Sequence, residues 1–213
     1  MLCPLCSSSK TSFYSEDRKR QYHWCEICRL VFVPSEYFPS AEEEKNRYDA
    51  HQNSPLDLAY REHLQRIAGP LLEKLPNNAT GLDFGCGPQP VLQDIFRSAG
   101  KEMDVYDSFY FPEKNVFENK YDFITATEVI EHLHHPYNEL SRIINMIHSG
   151  GYLGVMTRLL PASLEEFKTW FYIRDFTHVC FYDEATLHWI ARKFNLSLKV
   201  MDSDAFIFQK LPA

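Results

Sequence analysis

The sequence predicts an α/β fold, a doubly wound and mostly parallel sheet, preceded by a small four-cysteine unit. Three observations predict it. From about residue 80 onward, apolar runs of strand length alternate with runs of helix length, the mark of a parallel sheet covered on both faces. The run Leu82-Asp83-Phe84 passes through Gly85-Cys86-Gly87-Pro88 into a helix-forming stretch. Cys3, Cys6, Cys25 and Cys28 form two CxxC pairs separated by eighteen residues.

The elements follow in order. Two CxxC knuckles at this spacing suit a tetrahedral Zn²⁺, and a chain expected to be cytoplasmic makes disulfides the less favoured use. Residues 1–33 therefore read as a zinc ribbon, with short strands at Tyr22–Trp24 and Leu30–Val33. Four thiolates leave no open position, so the metal is expected to be structural. Its polar segment has too few apolar residues for a core of its own, a further reason to expect a metal staple. Residues 34–56, with Pro34, Pro39, Pro55 and the acidic run Glu42–Glu44, read as a linker with one short helix. Residues 57–213 form the main domain. Helical spacing over 57–75 (Leu58, Leu64, Ile67, Leu71, Leu75) is interrupted by Gly69-Pro70, a point where the helix can kink.

Strands are expected at 80–84, 103–107, 121–126 and Tyr152–Thr157, the last opened by Gly150-Gly151. Helices are expected at 89–99, 136–148, 163–172 and 183–194. Two final strands, near 196–201 and 205–209, read as an antiparallel pair closing the sheet. Only thirteen residues separate Asp107 from Tyr121, too few for a helix and a strand, and they include Phe109-Tyr110-Phe111-Pro112. The third strand of the usual doubly wound order is therefore expected to be shortened or missing.

Composition bounds the function. With 213 residues the chain has room for one α/β domain and an appendage. No apolar run approaches the ~20 residues of a membrane span, and the N-terminus lacks the pattern of a signal peptide. A cytoplasmic location and no membrane partner are the expectation. The net charge of −7 argues against a broad electrostatic grip on nucleic acid. The charge is uneven, +2 over residues 1–33 and −9 over the rest, but metal-bound thiolates would remove the small basic excess.

The turn after the first main-domain strand points to a nucleoside ligand. Gly85 and Gly87 allow a sharp bend and close approach to the backbone, and the next helix aims its N-terminus at the ligand. Asp107, ending the next strand, can accept ribose hydroxyls. Pro88-Gln89-Pro90 after Gly87 breaks the dinucleotide pattern, which disfavours NAD. Together with Tyr121-Asp122-Phe123-Ile124 and Glu128-Val129-Ile130-Glu131-His132-Leu133, the pattern resembles class I S-adenosylmethionine-dependent methyltransferases, over residues 80 to 210. The resemblance implies a Rossmann-like methyltransferase fold. It implies that Asp83 lies near the methionine amino group, that Gly85 and Gly87 line the cofactor and that Asp107 holds the ribose. Thr127 and Glu128 would flank the methionine end, and Phe109, Tyr110 or Phe111 would cover the adenine or pack at the sheet edge.

For the acceptor, Glu128, Glu131 and His132 would share one face of a helix at i, i+3 and i+4. This E-x-x-E-H pattern resembles that of small-RNA 2′-O-methyltransferases, where it is associated with a divalent metal. Mg²⁺ or Mn²⁺, completed by His178, is one reading. The favoured one is a metal-free site in which His132 is a positioning group or base. Trp170, Tyr172, Arg174, Asp175 and His178 read as acceptor pocket or lid. Neither Cys86 nor Cys180 has a base at motif spacing, and His134 and His135 read as exposed. The expected acceptor is a small molecule. RNA, and a non-catalytic interaction module on a degenerate fold, are the alternatives. The oligomeric state is not encoded in any of these patterns.

Overall fold

A computed structural model describes residues 1–50 and 57–212. Pro55 and the end of the expected linker lie outside the described residues. In chain order the regular elements are β1 (Thr11–Glu16), β2 (Gln21–Cys25), β3 (Val31–Phe32), α1 (Ala41–Asp49), α2 (Leu58–Leu72), β4 (Thr80–Phe84), α3 (Val91–Ser98) and β5 (Glu102–Tyr106). These are followed by β6 (Tyr121–Thr127), α4 (Pro136–Met146), β7 (Ile147–Met156), α5 (Leu164–Thr169), β8 (Cys180–Phe181), α6 (Glu184–Lys193), β9 (Leu196–Asp202) and β10 (Ala205–Lys210).

The main sheet has the order β5-β4-β6-β7-β10-β9. The first four strands are parallel, and β10 pairs antiparallel with both β7 and β9. Among the described residues no strand lies beyond β5, so the third strand is missing. In its place Ser108–Lys120 forms a loop with a single 3₁₀ segment at Lys114–Glu118. Phe117 from that loop packs on Tyr106 and Phe84, with ring centroids 4.6 and 6.5 Å apart. Aromatic burial thus closes the edge that a strand would otherwise cover.

The two faces of the sheet carry separate cores. Helices α2 and α3 bury Ile67, Leu71, Ile95 and Phe96 against Phe123, Met156 and Ile207. The opposite face gathers α4, α6 and the four-cysteine unit into one continuous cluster. Continuity is structural as well as apolar. Strand β3 pairs antiparallel with β8, a strand from the main domain. That strand is invisible to pattern reading because two residues carry no periodicity. Phe167 of α5 sits fully buried at the seam, edge-on to Tyr14, Tyr22 and Phe181 at 5.1, 5.1 and 5.8 Å.

Three boundaries differ from expectation. Helix α2 runs unbroken through Pro70, which lies near enough its end that the lost hydrogen bond does not split it. Strand β7 begins at Ile147, not Tyr152. A register shift between the pairs Tyr121↔Ile147 and Phe123↔Tyr152 carries Gly150 and Gly151 inside the strand. The expected helix over 163–172 is a short α5 followed by a 3₁₀ turn at Phe171–Arg174.

Phe167→Ala should cost about 3–5 kcal/mol of unfolding free energy, since it removes a buried ring shared by two units. Chemical denaturation of the variant and the parent protein measures it.

Candidate active site

The cavity lies where doubly wound sheets bind ligands, outside the carboxyl ends of the parallel strands. It has a volume of about 760 Å³ and runs from the Gly85–Gly87 turn to His132 and His178.

At one end, Gly85 and Gly87 have φ of +77° and +67°, a conformation that side chains disfavour. A Cβ at Gly85 would also lie 2.4 Å from Val129. The turn is folded onto β5 by Gly85 N–H and Cys86 N–H, which donate to the Tyr106 carbonyl at 2.7 and 3.2 Å. Asp107 then organises the wall. Its Oδ2 accepts from Gly87 N–H at 3.0 Å, and its Oδ1 from Phe109 and Tyr110 N–H at 2.9 and 3.2 Å. Oδ2 retains a lone pair for a ribose hydroxyl. Asp83 is buried and accepts from the Thr125 hydroxyl at 2.7 Å, its neighbour across β4 and β6. Burial, reinforced by the charge of Asp107, lifts its carboxyl to about 7. Thr127, Glu128, Phe109 and Tyr110 also line the cavity; Phe111 does not.

The helical face expected for Glu128, Glu131 and His132 is not formed. Glu128 has φ +53°, and only Ile130–His132 makes a single 3₁₀ turn. Glu128 N–H donates to the Met156 carbonyl at 2.8 Å, so sheet pairing wins over helix propensity here. As a result Glu128 and His132 line the cavity, while Glu131 turns inward and is fully buried. Its carboxylate accepts from Tyr172 Oη at 2.5 Å and from Thr157 Oγ1 at 3.0 Å. Burial, and then the nearby Glu128, push the Glu131 carboxyl well above the usual carboxylate range.

His132 and His178 come together although they are 46 residues apart in sequence. Their rings meet edge to face at 4.7 Å. His132 Nδ1–H donates to the Thr177 carbonyl at 3.1 Å and His178 Nδ1–H to the Tyr172 carbonyl at 2.8 Å. A carbonyl only accepts, so both Nε2 atoms keep their lone pairs. Burial pushes the imidazoles down, His132 to about 3 and His178 to about 4, the first aided by the second ring. Both are neutral bases near pH 7. One carboxylate oxygen of Glu131 and one nitrogen of each ring lie within 4.8 Å of one another. The Glu131 oxygens, however, already hold Tyr172 and Thr157.

Several residues at the site gave no sequence signal. Helix α1 lies across the cavity: Arg47 Nη2 pairs with Asp175 Oδ2 at 2.8 Å, and Tyr48 meets His132 edge-on at 5.3 Å. Asp49 of the same helix accepts from Tyr110 Oη at 2.6 Å. Asp175 is held well below the usual range because Arg47 and Thr177 outweigh its burial. Trp170 is not at the cavity but packs on Tyr172. His134 is not exposed: it stacks on Phe38 at 4.2 Å and faces Glu44 Oε1 at 3.0 Å, whereas His135 is exposed. Burial pushes the Cys86 and Cys180 thiols upward, so neither supplies a thiolate.

The four remaining cysteines converge. Cys3 and Cys28 Sγ lie 3.4 Å apart, as do Cys6 and Cys25 Sγ, and all four sulfurs fall within 4.8 Å of one another. These separations are too long for disulfides and near the roughly 3.8 Å edge of a ZnS₄ tetrahedron. The two knuckles match: Ser7 and Arg29, each following the second cysteine of its pair, have φ of +59° and +69°. Each donates its N–H to the carbonyl of the first cysteine, at 2.9 Å.

A family profile described as a methyltransferase domain matches residues 52–199. No curated protein matches the chain. Among solved structures, the fold resembles that of a 1,6-didemethyltoxoflavin N1-methyltransferase from Burkholderia thailandensis, with bound 1,6-didemethyltoxoflavin and S-adenosylhomocysteine. Identity is 14% and the TM-score 0.54, over 94% of this chain and 100% of that one. CalO1, a methyltransferase of calicheamicin biosynthesis with bound S-adenosylhomocysteine, is 14% identical with a TM-score of 0.53. That match covers 82% of this chain and 59% of the other. A Burkholderia thailandensis O-methyltransferase family protein is 13% identical with a TM-score of 0.49, over 83% and 65%. The chain thus spans less than two thirds of the length of two of these three.

Tyr172→Phe should destabilise the fold by about 1–3 kcal/mol, because it leaves the buried Glu131 carboxyl short of a partner. Comparing unfolding midpoints of the variant and the parent chain tests this.

Proposed function

The chain belongs to the methyltransferase domain family, and from that premise we propose that it methylates a small-molecule acceptor bound beside His132 and His178. The observation that carries this reading is the pair of neutral imidazoles, each with Nδ1–H fixed by a carbonyl, in the same cavity as the Gly85–Gly87 turn. S-adenosylmethionine, the cofactor implied by the family, supplies an electrophilic methyl group when bound.

The chain's own residues divide the remaining work. Asp107 takes the ribose, Gly85 and Gly87 let the cofactor approach the backbone, and Asp83, Thr127 and Glu128 face the methionine end. Phe109 and Tyr110 cover the adenine. On the acceptor side, His178 or His132 accepts the proton of an acceptor hydroxyl or amine on Nε2, and Glu128 lines the same cavity. Glu131 acts through Tyr172 as an anchor, one oxygen accepting from Tyr172 and the other from Thr157. The closed set of four cysteines supports a structural Zn²⁺ held by Cys3, Cys6, Cys25 and Cys28. The domain reading places the metal unit at 1–33, a linker at 34–56 and the methyltransferase domain at 57–213.

One observation favours an RNA acceptor. A second groove of about 750 Å³ beside the metal unit is lined by Arg18, Lys19, Lys168 and Arg174, with Asp17, Glu36 and Glu43 among them. The net charge of −7 weighs against it. RNA binding that weakens steeply as salt rises would support the RNA reading; none at low salt would remove it.

Calorimetric titration with S-adenosylhomocysteine should give equimolar binding. Asp107→Ala should weaken it by about tenfold or more, some 1.4 kcal/mol. If both proteins bind equally, the ribose role is wrong. A pH series checks Asp83. Its folded carboxyl titrates at about 7, and only the ionised form attracts the ligand ammonium. Affinity should therefore rise as pH increases through that value and level off above it. Asp83→Asn should flatten the profile.

A further inference from the structure

Arg20 lies in the metal unit, between the two knuckles, just before β2. It is only 6% exposed. All five of its N–H donors are used. Nε–H donates to Tyr22 Oη at 2.9 Å. Nη1 donates to the carbonyls of Phe176 and His178 at 2.9 and 2.8 Å. Nη2 donates to those of Ile173 and Asp175 at 2.8 and 2.9 Å. No carboxylate takes the guanidinium fork. Asp17 Oδ2 stands 3.9 Å from Nε and instead accepts from Tyr22 Oη at 2.6 Å.

Four of the six residues from Ile173 to His178 thus turn their carbonyls onto one planar cation supplied from more than 150 residues away. The same short segment holds Asp175, which pairs with Arg47, and His178. Past the end of the 3₁₀ turn at Arg174 it has no regular structure of its own. A guanidinium fixes its donors in a plane, so it dictates where carbonyls must lie. A lysine ammonium offers three donors from one point and cannot serve four carbonyls and a hydroxyl.

We propose that Arg20 is a positioning residue for the acceptor site: its guanidinium is the template on which the 173–178 segment folds, and it thereby fixes the aim and the Nδ1–H tautomer of His178. The proposal deepens the acceptor-site reading given above and rests on it for its catalytic meaning. The logic is local. The His178 carbonyl is held by Arg20 while its ring nitrogen is held by the Tyr172 carbonyl. On the far side Val179 N–H donates to the Glu131 carbonyl at 2.8 Å. Without the guanidinium, four carbonyls must find water, the segment must open, and the ring loses its fixed acceptor. The four-cysteine unit is then part of the acceptor site and not an appendage, because its β1–β2 hairpin presents Arg20. Asp17 Oδ1 secures that turn by accepting from Lys19 and Arg20 N–H at 2.7 and 3.0 Å.

The test uses the full, zinc-replete chain with Arg20→Lys, Arg20→Met and Arg20→Ala. Three readouts are taken: metal content, S-adenosylhomocysteine affinity, and the His178 tautomer by ¹⁵N-histidine NMR. Metal content should hold, and affinity should stay within about threefold of the parent. The single Nδ1–H signature of His178 should give way to a tautomer mixture in all three variants. Free guanidinium ion should restore it in Arg20→Ala, and methylammonium should not. A His178 that keeps its Nδ1–H signature in all three variants overturns the proposal. So does a cofactor affinity that collapses in step, since Arg20 would then be a general folding residue. If the variants do not fold, proton exchange in the parent protein decides. The Arg20 Nε–H and His178 Nδ1–H protons should be released together, and independent release overturns the proposal. The tautomer reports on Arg20 whether or not His178 proves to be the base; His178→Gln activity tests that separately.

Discussion

An irregular, partly buried segment packed between two units persists in one shape only if its carbonyls find donors. The 173–178 segment meets that constraint through Arg20, and much of the molecule is arranged around the solution. The guanidinium must be desolvated, so Tyr22 and Asp17 accompany it in the same hairpin. The hairpin must be rigid, yet its polar sequence cannot build a core. The four cysteines, the β3–β8 pairing and the aromatic seam at Phe167 supply what burial alone would not. A small unit with too little core of its own is fused to the domain whose 173–178 segment it holds.

The cavity follows a second electrostatic rule. Burial drives four groups in and behind its wall toward their neutral forms: Asp83 and Glu131 upward, His132 and His178 downward. Asp175, by contrast, is kept ionised by Arg47. Such a pocket gains most from ligands that bring their own charge. A cationic donor and a neutral acceptor with one proton to lose suit it better than a polyanion does. For stability the signs oppose. The depressed histidines destabilise the fold as pH falls from about 6.5 toward their folded values, while Asp83 and Glu131 destabilise it as pH rises through theirs.

Much of this was legible in the sequence where the signal was local. The Gly85–Gly87 turn, Asp107, the two CxxC pairs and the gap before Tyr121 each rest on spacing within a short stretch, and each corresponds to a feature of the fold. What escaped depended on partners far along the chain. The motif from Glu128 to His132 reads as a helix face, but a backbone bond to Met156 sends Glu131 inward. Arg20, Arg47 and Tyr48 look like ordinary polar residues until the fold brings them to Asp175, His132 and the 173–178 carbonyls. No periodicity announces a residue whose role is to serve another element's backbone.

The missing third strand fits the same logic. Its absence leaves β5 at the sheet edge and frees residues 108–120 to fold back, so that Phe109 and Tyr110 reach the cavity and Phe117 seals the edge. Asp107 ties that loop to the glycine turn by accepting from both. One carboxylate therefore sets the shape of the wall beside the glycine turn and, in the reading proposed here, also meets the ribose. Tyr110 carries the linkage further, because its hydroxyl reaches Asp49 of α1, the helix that also brings Arg47 to Asp175. The wall at the glycine turn and the wall at Asp175 are thus joined across the mouth of the cavity by a single helix, and an alteration on one side is expected to be felt on the other.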